Sequence, residues 1–425
     1  MSHFALVAPP YPSHFAAMQA LGGELVERGH QVSFFHQPEA ERWLSDSRLG
    51  FVAIGHAECP PGSLDLAMRR VADPAGPLRL RRLINQLAHT TGMLISNLPQ
   101  ALRDHRVDAM ICDQMEPAGG LVAEACNLPF FSVACALPIN REPGLPLPVM
   151  PFGLGLDARL YEGSAKVHDW LMRPLHDTLL QACHRHGLPP RSGAHEFLSP
   201  LAQLSQTPLH LDFPRADLPK HFHAVGPLRS TPSQASPNWS FESGKPLVFA
   251  SLGTLQGHRF DLFARIAKAC RGLDAQLLVA HCGGLDAHQQ ARLRQIGATV
   301  VTDFAPQHWA VRRANVVISH GGLNTVLDTV CAGTSLLVMP IAFDQPGVAA
   351  RVRHHRLGRV LSKRASASAI GQALRQLLDE AAPRDAALEA ELATCGGVQR
   401  AASLIEAALR SGQPSISENV PCLMT

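Results

Sequence analysis

Residues 314–345, ANVVISHGGLNTVLDTVCAGTSLLVMPIAFDQ, constrain the fold more than any other stretch, because polar residues stand only where elements must begin or end. Val316, Val317 and Ile318 form a short β-branched run, and His320-Gly321-Gly322 follows at once with residues that tolerate unusual backbone angles. The pattern predicts a buried parallel strand, a helix from about Leu323 that ends by Gly333, and a second strand over 336–339.

A helix that starts just after a glycine turn presents unpaired backbone N–H groups and the positive end of its dipole, so the turn suits a phosphate. His320 stands at the strand's carboxyl end, where ligands bind in open α/β sheets, and Asn324 and Thr325 add an amide and a hydroxyl in the first helical turn. The next strand stops at Pro340, and Asp344 and Gln345 follow at the same sheet edge, a carboxylate beside an amide that suits sugar hydroxyls. Each piece has a plainer reading, since His-Gly-Gly is a common turn and Asp-Gln before a proline a common helix start. Their joint spacing favours an anion-and-sugar site.

The stretch 304–345 resembles the nucleotide-sugar signature of the UDP-glycosyltransferase superfamily, with Pro306-Gln307, His320, Gly322, Asn324, Thr325, Asp328 and Asp344-Gln345 at its positions. The resemblance implies that Phe304, Pro306 and Gln307 hold the uracil and that Asp328 binds ribose hydroxyls. It further implies that the His320-Gly321-Gly322 turn, Asn324 and Thr325 contact the diphosphate, and Asp344 and Gln345 the transferred sugar. Phe304 stands where plant members have a tryptophan, and Asp328 is shorter than the usual glutamate.

Strand-like runs alternate with helical ones along the rest of the chain, which predicts doubly wound parallel sheets. The first half reads as a strand over 4–8, a helix from His14 to Arg28 and a strand over 32–35. It continues with strands over 51–54, 109–112 (ending at Asp113) and 130–134, a helical segment through Leu80, Leu83, Ile84, Leu87 and Leu94, and a helix over 117–126. Residues 138–160, rich in proline and leucine, read as an ordered apolar loop suited to lining a pocket; a helical segment follows around 166–186. The second half opens with a strand over 247–250 that ends in Ser251-Leu-Gly-Thr254. The resemblance sets Ser251, Gly253 and Thr254 beside the diphosphate, while a plain strand-to-helix turn reads the tetrapeptide equally well. The expected domains are 1–228, a linker over 229–245, 246–395, a helix over 396–411 and a loose tail over 412–425. At this level the resemblance covers nearly the whole chain and implies the GT-B architecture, two Rossmann-like α/β domains across a cleft, with the last helix crossing back to the first domain.

An acceptor hydroxyl needs a base to take its proton. His14 lies just past the first strand, and Asp113 ends another strand of the same expected sheet. Taken alone, these residues serve equally as helix caps or core groups. The resemblance makes His14 the base and Asp113 the partner that fixes its tautomer, with inversion at the sugar carbon. No Asp-x-Asp pair occurs in the chain, so no metal and no cofactor is expected. His221-Phe-His223 and Cys183-His-Arg-His186 lack a completing cluster and read as surface.

With 425 residues, 46% of them hydrophobic, the chain has ample material for two large cores. A net charge of +3 is too mild to point to nucleic acid, and the sequence carries no nucleic-acid-binding module. Ten cysteines without a CxxC pair read as reduced thiols of a cytoplasmic protein. The amino-terminal apolar run is short and proline-broken, unlike a secretory signal, and the longest apolar stretches fall short of a membrane span. Cys422-Leu-Met-Thr is a poor prenylation box.

The acceptor is the least legible feature. At whole-chain level the sequence is similar to carotenoid-glucosylating bacterial members of the superfamily, implying UDP-glucose as donor and a carotenoid or another apolar hydroxylated compound as acceptor. Arg79, Arg81 and Arg82 beside Leu80 and Leu83 suit a peripheral contact at the inner membrane face, and equally an ordinary solvated helix. A glycosyltransferase for a macrolide or other small aglycone, a GT-B sugar-nucleotide epimerase and a catalytically silent binder are the alternatives.

Overall fold

The computed structural model describes residues 1–73, 76–230 and 237–417. Among these residues one sheet contains β1 (His3–Val7), β2 (Gln31–His36), β3 (Gly50–Ala53), β4 (Ala109–Asp113), β5 (Phe130–Ala134), β6 (Gln203–Ser205) and β7 (Phe222–Ala224), in the order β3-β2-β1-β4-β5-β6-β7. A second contains β8 (Leu247–Ser251), β9 (Gln276–Ala280), β10 (Val300–Thr302), β11 (Val316–Ser319), β12 (Ser335–Val338) and β13 (Arg359–Val360), in the order β10-β9-β8-β11-β12-β13. Every pairing is parallel. Strands β1, β4, β5, β8 and β9 are buried along their whole length, because helices cover both faces of a parallel sheet.

Each sheet winds outward one way from its first strand, returns to the centre and winds out the other way. The reversal falls between β1 and β4 in the first sheet and between β8 and β11 in the second. Connections leaving the two central strands go to opposite faces there, which opens a crevice at the strands' carboxyl ends. Both crevices contribute to one cleft, and that placement positions the site.

The long apolar runs form the elements expected of them. The shorter ones, β6, β7 and β13, escape sequence reading because they hold two or three residues each and mix Gln203, Ser205, His223 and Arg359 with apolar neighbours. The helices Ser63–Ala72, Ala287–Ile296 and Ala386–Thr394 were likewise not legible. The 166–186 segment is two helices, Ala158–Leu171 and Arg173–His186, with Pro174 in the first turn of the second.

The last helix, Gly397–Ser411, packs on the first domain: Val398, Ala401, Ala402, Ile405 and Ala408 join the core formed by β1, β2 and the helix Pro12–Glu27. Arg28 donates to Glu406 and to the Gln399 carbonyl, and His30 pairs with Glu406, which fixes the register of the crossing. Residues 412–417 are not loose, since Ser415 N–H donates to Leu201 O and Ser417 N–H to Lys220 O; residues 418–425, with Cys422, lie outside the described residues. Of the expected linker, Trp239 and Phe241 pack against Trp309 of the second domain, while 231–236 also lie outside the described residues. His223 is buried in β7 with Nε2 on the Ser415 carbonyl rather than at the surface. Among the described residues no helix is long and apolar enough to cross a membrane, and the nine cysteines are unpaired.

Candidate active site

On the first domain, β1 ends at Val7 and the chain turns through Pro9 and Pro10 into the helix Pro12–Glu27, whose proline in the first turn fixes the start of the helix. His14 therefore stands in the first helical turn, over the crevice between β1 and β4. Asp113 is the last residue of β4, and its register beside β1 brings it under the imidazole. Asp113 Oδ2 lies 2.6 Å from His14 Nδ1, and Oδ1 accepts from Met115 N at 2.9 Å, so the carboxylate is oriented from both sides. Asp113 is fully buried, and the His14 side chain is 14% exposed.

Burial lowers the affinity of His14 for a proton, but the charge of Asp113 and the hydrogen bond to it, with the more distant charge of Asp344, outweigh that and hold its pKa above the ordinary value. With Nδ1 held by the carboxylate, Nε2 is the nitrogen left for the cavity. An imidazole so placed can take a proton only while neutral. Acting as a base, it would be fully competent above the raised pKa and lose that competence as pH drops through it. Asp113→Asn removes the cause of the rise, so the acid limb of kcat/KM should move to lower pH while the plateau falls; a pH profile of both proteins checks this.

On the second domain, β8 ends at Ser251 and β11 at Ser319, side by side at the other reversal, with Ser319 paired to Ser251. His320 follows β11, and its ring lies between two glycines: a Cβ on Gly253 or on Gly322 would come within 2.6 Å of His320 Cε1. Those two glycines are what admit the ring. Gly253 also has φ +71°, which disfavours side chains independently of the space. Burial lowers His320 to about 4, so it is neutral at pH 7, and its Nδ1 is buried without a partner among the described residues. The helix Leu323–Cys331 begins at Gly322 with no side-chain cap, so its first N–H groups remain for an anion.

These two halves line one cavity of about 510 Å³. Its wall includes His14 from the first domain and Ser251, Gly253, Thr254, Phe304, Gln307, His320, Gly322, Asn324, Thr325, Asp344 and Gln345 from the second. Phe304 is 67% exposed on that wall, an aromatic face open to a planar ring. Burial raises the Asp344 carboxyl above the usual carboxylate range, against the opposing charge of His14; the two residues thus face the same cleft from its two sides.

Three residues singled out in the sequence stand elsewhere. Pro306 sits at the start of the helix Gln307–Arg313, off the wall. Gly321, at φ +88°, makes the turn, where a Cβ would press on Val338 at 3.0 Å. Asp328 does not face the cavity: Arg229 Nε donates to it at 3.0 Å and Gln307 Nε2 at 2.5 Å. Gln345 does line the cavity, but its Oε1 accepts from Ile341 N and Ala342 N at 2.9 Å each, so that oxygen braces the loop before Asp344.

Sequence reading missed Glu116 and Tyr11, both on the cavity wall. Glu116 accepts from Thr91 Oγ1 at 2.8 Å, and burial pushes its carboxyl up to about 7 despite that bond. The only signal was a second acid three residues after Asp113. Cys135, just past β5, brings its sulfur to the same spot, so that ligand atoms of His14, Asp113 and Cys135 lie within 4.8 Å of one another, close enough to hold a metal ion. Two of these three residues, His14 and Asp113, are joined to each other by the hydrogen bond between Nδ1 and Oδ2.

Residues 195–390 match the family described as UDP-glucoronosyl and UDP-glucosyl transferase. The zeaxanthin glucosyltransferase of Pantoea ananas is 49% identical over 424 residues, covering 98% of both chains. That of Pseudescherichia vulneris is 46% identical over 426 residues, 98% of this chain and 100% of the other. Among solved structures, the glycotransferase of kitacinnamycin superposes with a TM-score of 0.77 at 20% identity over 96% of this chain and 99% of that one. A calicheamicin glycosyltransferase gives 0.72 at 20% identity over 99% and 100%. The shared fold is GT-B, two Rossmann-like domains facing across a cleft.

Proposed function

The chain belongs to the UDP-glucoronosyl and UDP-glucosyl transferase family and is a glucosyltransferase, and from that premise we propose that it moves glucose from UDP-glucose to the ring hydroxyls of zeaxanthin, giving the mono- and then the diglucoside. The observation that carries the chemistry is the buried His14–Asp113 pair facing an uncapped helix N-terminus across a single cavity. The identity of 49% along the whole length of a zeaxanthin glucosyltransferase supports the donor and the acceptor.

In this reading Nε2 of His14 takes the proton of the acceptor hydroxyl as its oxygen attacks the anomeric carbon. Asp113 keeps Nδ1 protonated and stabilises the imidazolium that forms. The new carbon–oxygen bond forms opposite the bond to UDP that breaks, so the configuration inverts. The charge left on the diphosphate is taken by the N–H groups at the start of Leu323–Cys331, by Asn324 and Thr325, and by a hydrogen bond from His320, which is neutral and so contributes as a donor. That arrangement needs no metal. Phe304 and Gln307 hold the uracil, and Asp344 and Gln345 the glucose hydroxyls. Asp328 reaches the ribose only by exchanging its bonds to Arg229 and Gln307.

We place the reaction in the cytoplasm, at the inner membrane face where a lipid-soluble acceptor collects; the unpaired thiols of the nine described cysteines suit a reducing compartment. The test is UDP release from UDP-glucose with detergent-solubilised zeaxanthin, with products separated by mass. Release that depends on acceptor, with one and then two hexoses added, is the expected result. UDP release without acceptor would make the protein a hydrolase or epimerase, and transfer to macrolides alone would remove zeaxanthin.

A further inference from the structure

The helix Ala158–Leu171 is anchored differently from its neighbours: of its fourteen residues only Tyr161 is buried. Leu160, Val167 and Trp170 fall on one side at spacings of seven and three residues, and Leu156 stands in the bend just before the helix. All four are exposed, Trp170 by 71% and Val167 by 58%. A monomer's surface rarely leaves a tryptophan, a valine and two leucines together in water. Arg159 and Lys166, also exposed and a heptad apart, run along one edge of this stripe, and Arg173 continues the row beyond the helix end. Of the acids near it, Glu162 falls on the opposite side of the helix, Asp169 is held by Arg141, Asp157 caps the helix by accepting from Arg159 N, and Asp177 pairs with Arg173, which leaves Arg159 and Lys166 as the basic residues along the stripe. The remaining side carries His168, on the cavity wall with Met172 just beyond the helix.

An apolar stripe with tryptophan at one end and a row of basic residues along its edge is how a helix lies in the plane of a bilayer. The second helix at the cavity mouth agrees in sign. Leu78 is exposed at the start of Pro77–Asp104, followed by exposed Arg79, Arg81 and Arg82, while Gln86, Leu87 and Thr90 of the same helix line the cavity. Leu83 belongs to the core at 3% exposure, so the face that the sequence suggested beside these arginines is not the docking face.

We infer that the helix Ala158–Leu171 docks the protein on an anionic phospholipid surface, with Leu156, Leu160, Val167 and Trp170 in the acyl boundary and Arg159 and Lys166 on the headgroup phosphates. Docked this way, the inner side of the helix opens the acceptor end of the cavity toward the bilayer. The inference deepens the reading of a lipid-soluble acceptor and shares its premise.

The full-length protein is to be sedimented with vesicles of phosphatidylcholine, alone or mixed with phosphatidylglycerol. Binding to the mixed vesicles that weakens with salt is expected. Leu160→Ser/Val167→Ser/Trp170→Ser should lower the partition coefficient about tenfold or more, and Arg159→Gln/Lys166→Gln should lower it on the anionic vesicles only. None of these five residues lines the cavity, so both variants should glucosylate detergent-solubilised acceptor at the wild-type rate. Failure of the wild type to bind anionic vesicles, or equal binding by the serine variant, would overturn the docking. A wild-type dimer that the serine variant turns into a monomer, seen by light scattering, would make the stripe an interface between two copies and overturn it too. Loss of transfer to solubilised zeaxanthin by the wild type would instead count against the proposed acceptor and leave the vesicle result standing.

Discussion

His14→Ala is expected to lower kcat/KM for acceptor glucosylation by about 10²- to 10⁴-fold, the usual range for a positioned base. The loss should fall on kcat. His14 stands on the first domain, and the groups proposed to hold the donor stand on the second. UDP affinity, followed by protein fluorescence or calorimetry, should therefore stay within a factor of about two of wild type, since an interaction made only in the transition state lowers kcat without changing ground-state binding. The folded protein should survive as well, because the side chain removed borders a cavity rather than a packed core. His14→Ala at wild-type rate would leave the transfer without its proposed base and would shift attention to Glu116, a carboxyl on the first-domain wall that burial pushes up to about 7.

Asp212→Ala should have the largest effect on stability. Asp212 belongs to the segment after β6, and its carboxylate accepts from Arg215 Nε at 2.7 Å and from Arg351 Nε at 2.6 Å. Arg351 is 1% exposed, lies in the helix Gln345–His354 of the other domain, and stacks over Phe213 with its guanidinium 4.3 Å from the ring centre. Removing the carboxylate leaves two guanidinium groups in a buried place without their counter-charge, which costs about 3–5 kcal/mol. Urea unfolding should show that loss. Replacing Asp212, Arg215 and Arg351 together with apolar residues of similar volume should recover much of it, because none of the three buried charges then remains.

The same contact bears on function. The helix that Arg351 anchors carries Gln345 at its start, with Asp344 as its cap, and Arg215 reaches on to the Asn140 carbonyl in the apolar loop. Pro148 of that loop lies against Gly347, where a Cβ would meet the Pro148 oxygen at 1.8 Å. The apolar loop and the helix Gln345–His354 are thus held as one unit. Asp212→Ala should raise the donor KM in addition to lowering stability, a shift that kinetics below the unfolding transition will register.

How much was legible follows from the range of each interaction. Val316 to Ile318, the His320-Gly321-Gly322 turn and the helix after them depend on neighbours a few residues away, so periodicity and turn chemistry read them correctly. The strands buried on both faces announce themselves as apolar runs for the same reason. His14 and Asp113 could be proposed from strand ends alone, but nothing local relates a histidine to an aspartate 99 residues later. Asp328 shows the opposite case: its place in a motif suggested an open carboxylate, and Arg229, arriving from the connection between domains, closes it.

What the sequence alone determined is therefore the pair of α/β domains, the glycine turn after β11 and the residue types available for acid, base and anion work, because each is written in a local period or a short motif. Tertiary structure decided which of those residues meet. Parallel pairing of β1 with β4 and of β8 with β11 sets the carboxyl ends side by side, and burial then raises the proton affinity of Glu116 and Asp344 and lowers that of His320. Those contacts and that burial come from chain segments far apart in sequence, and no window of neighbouring residues contains them.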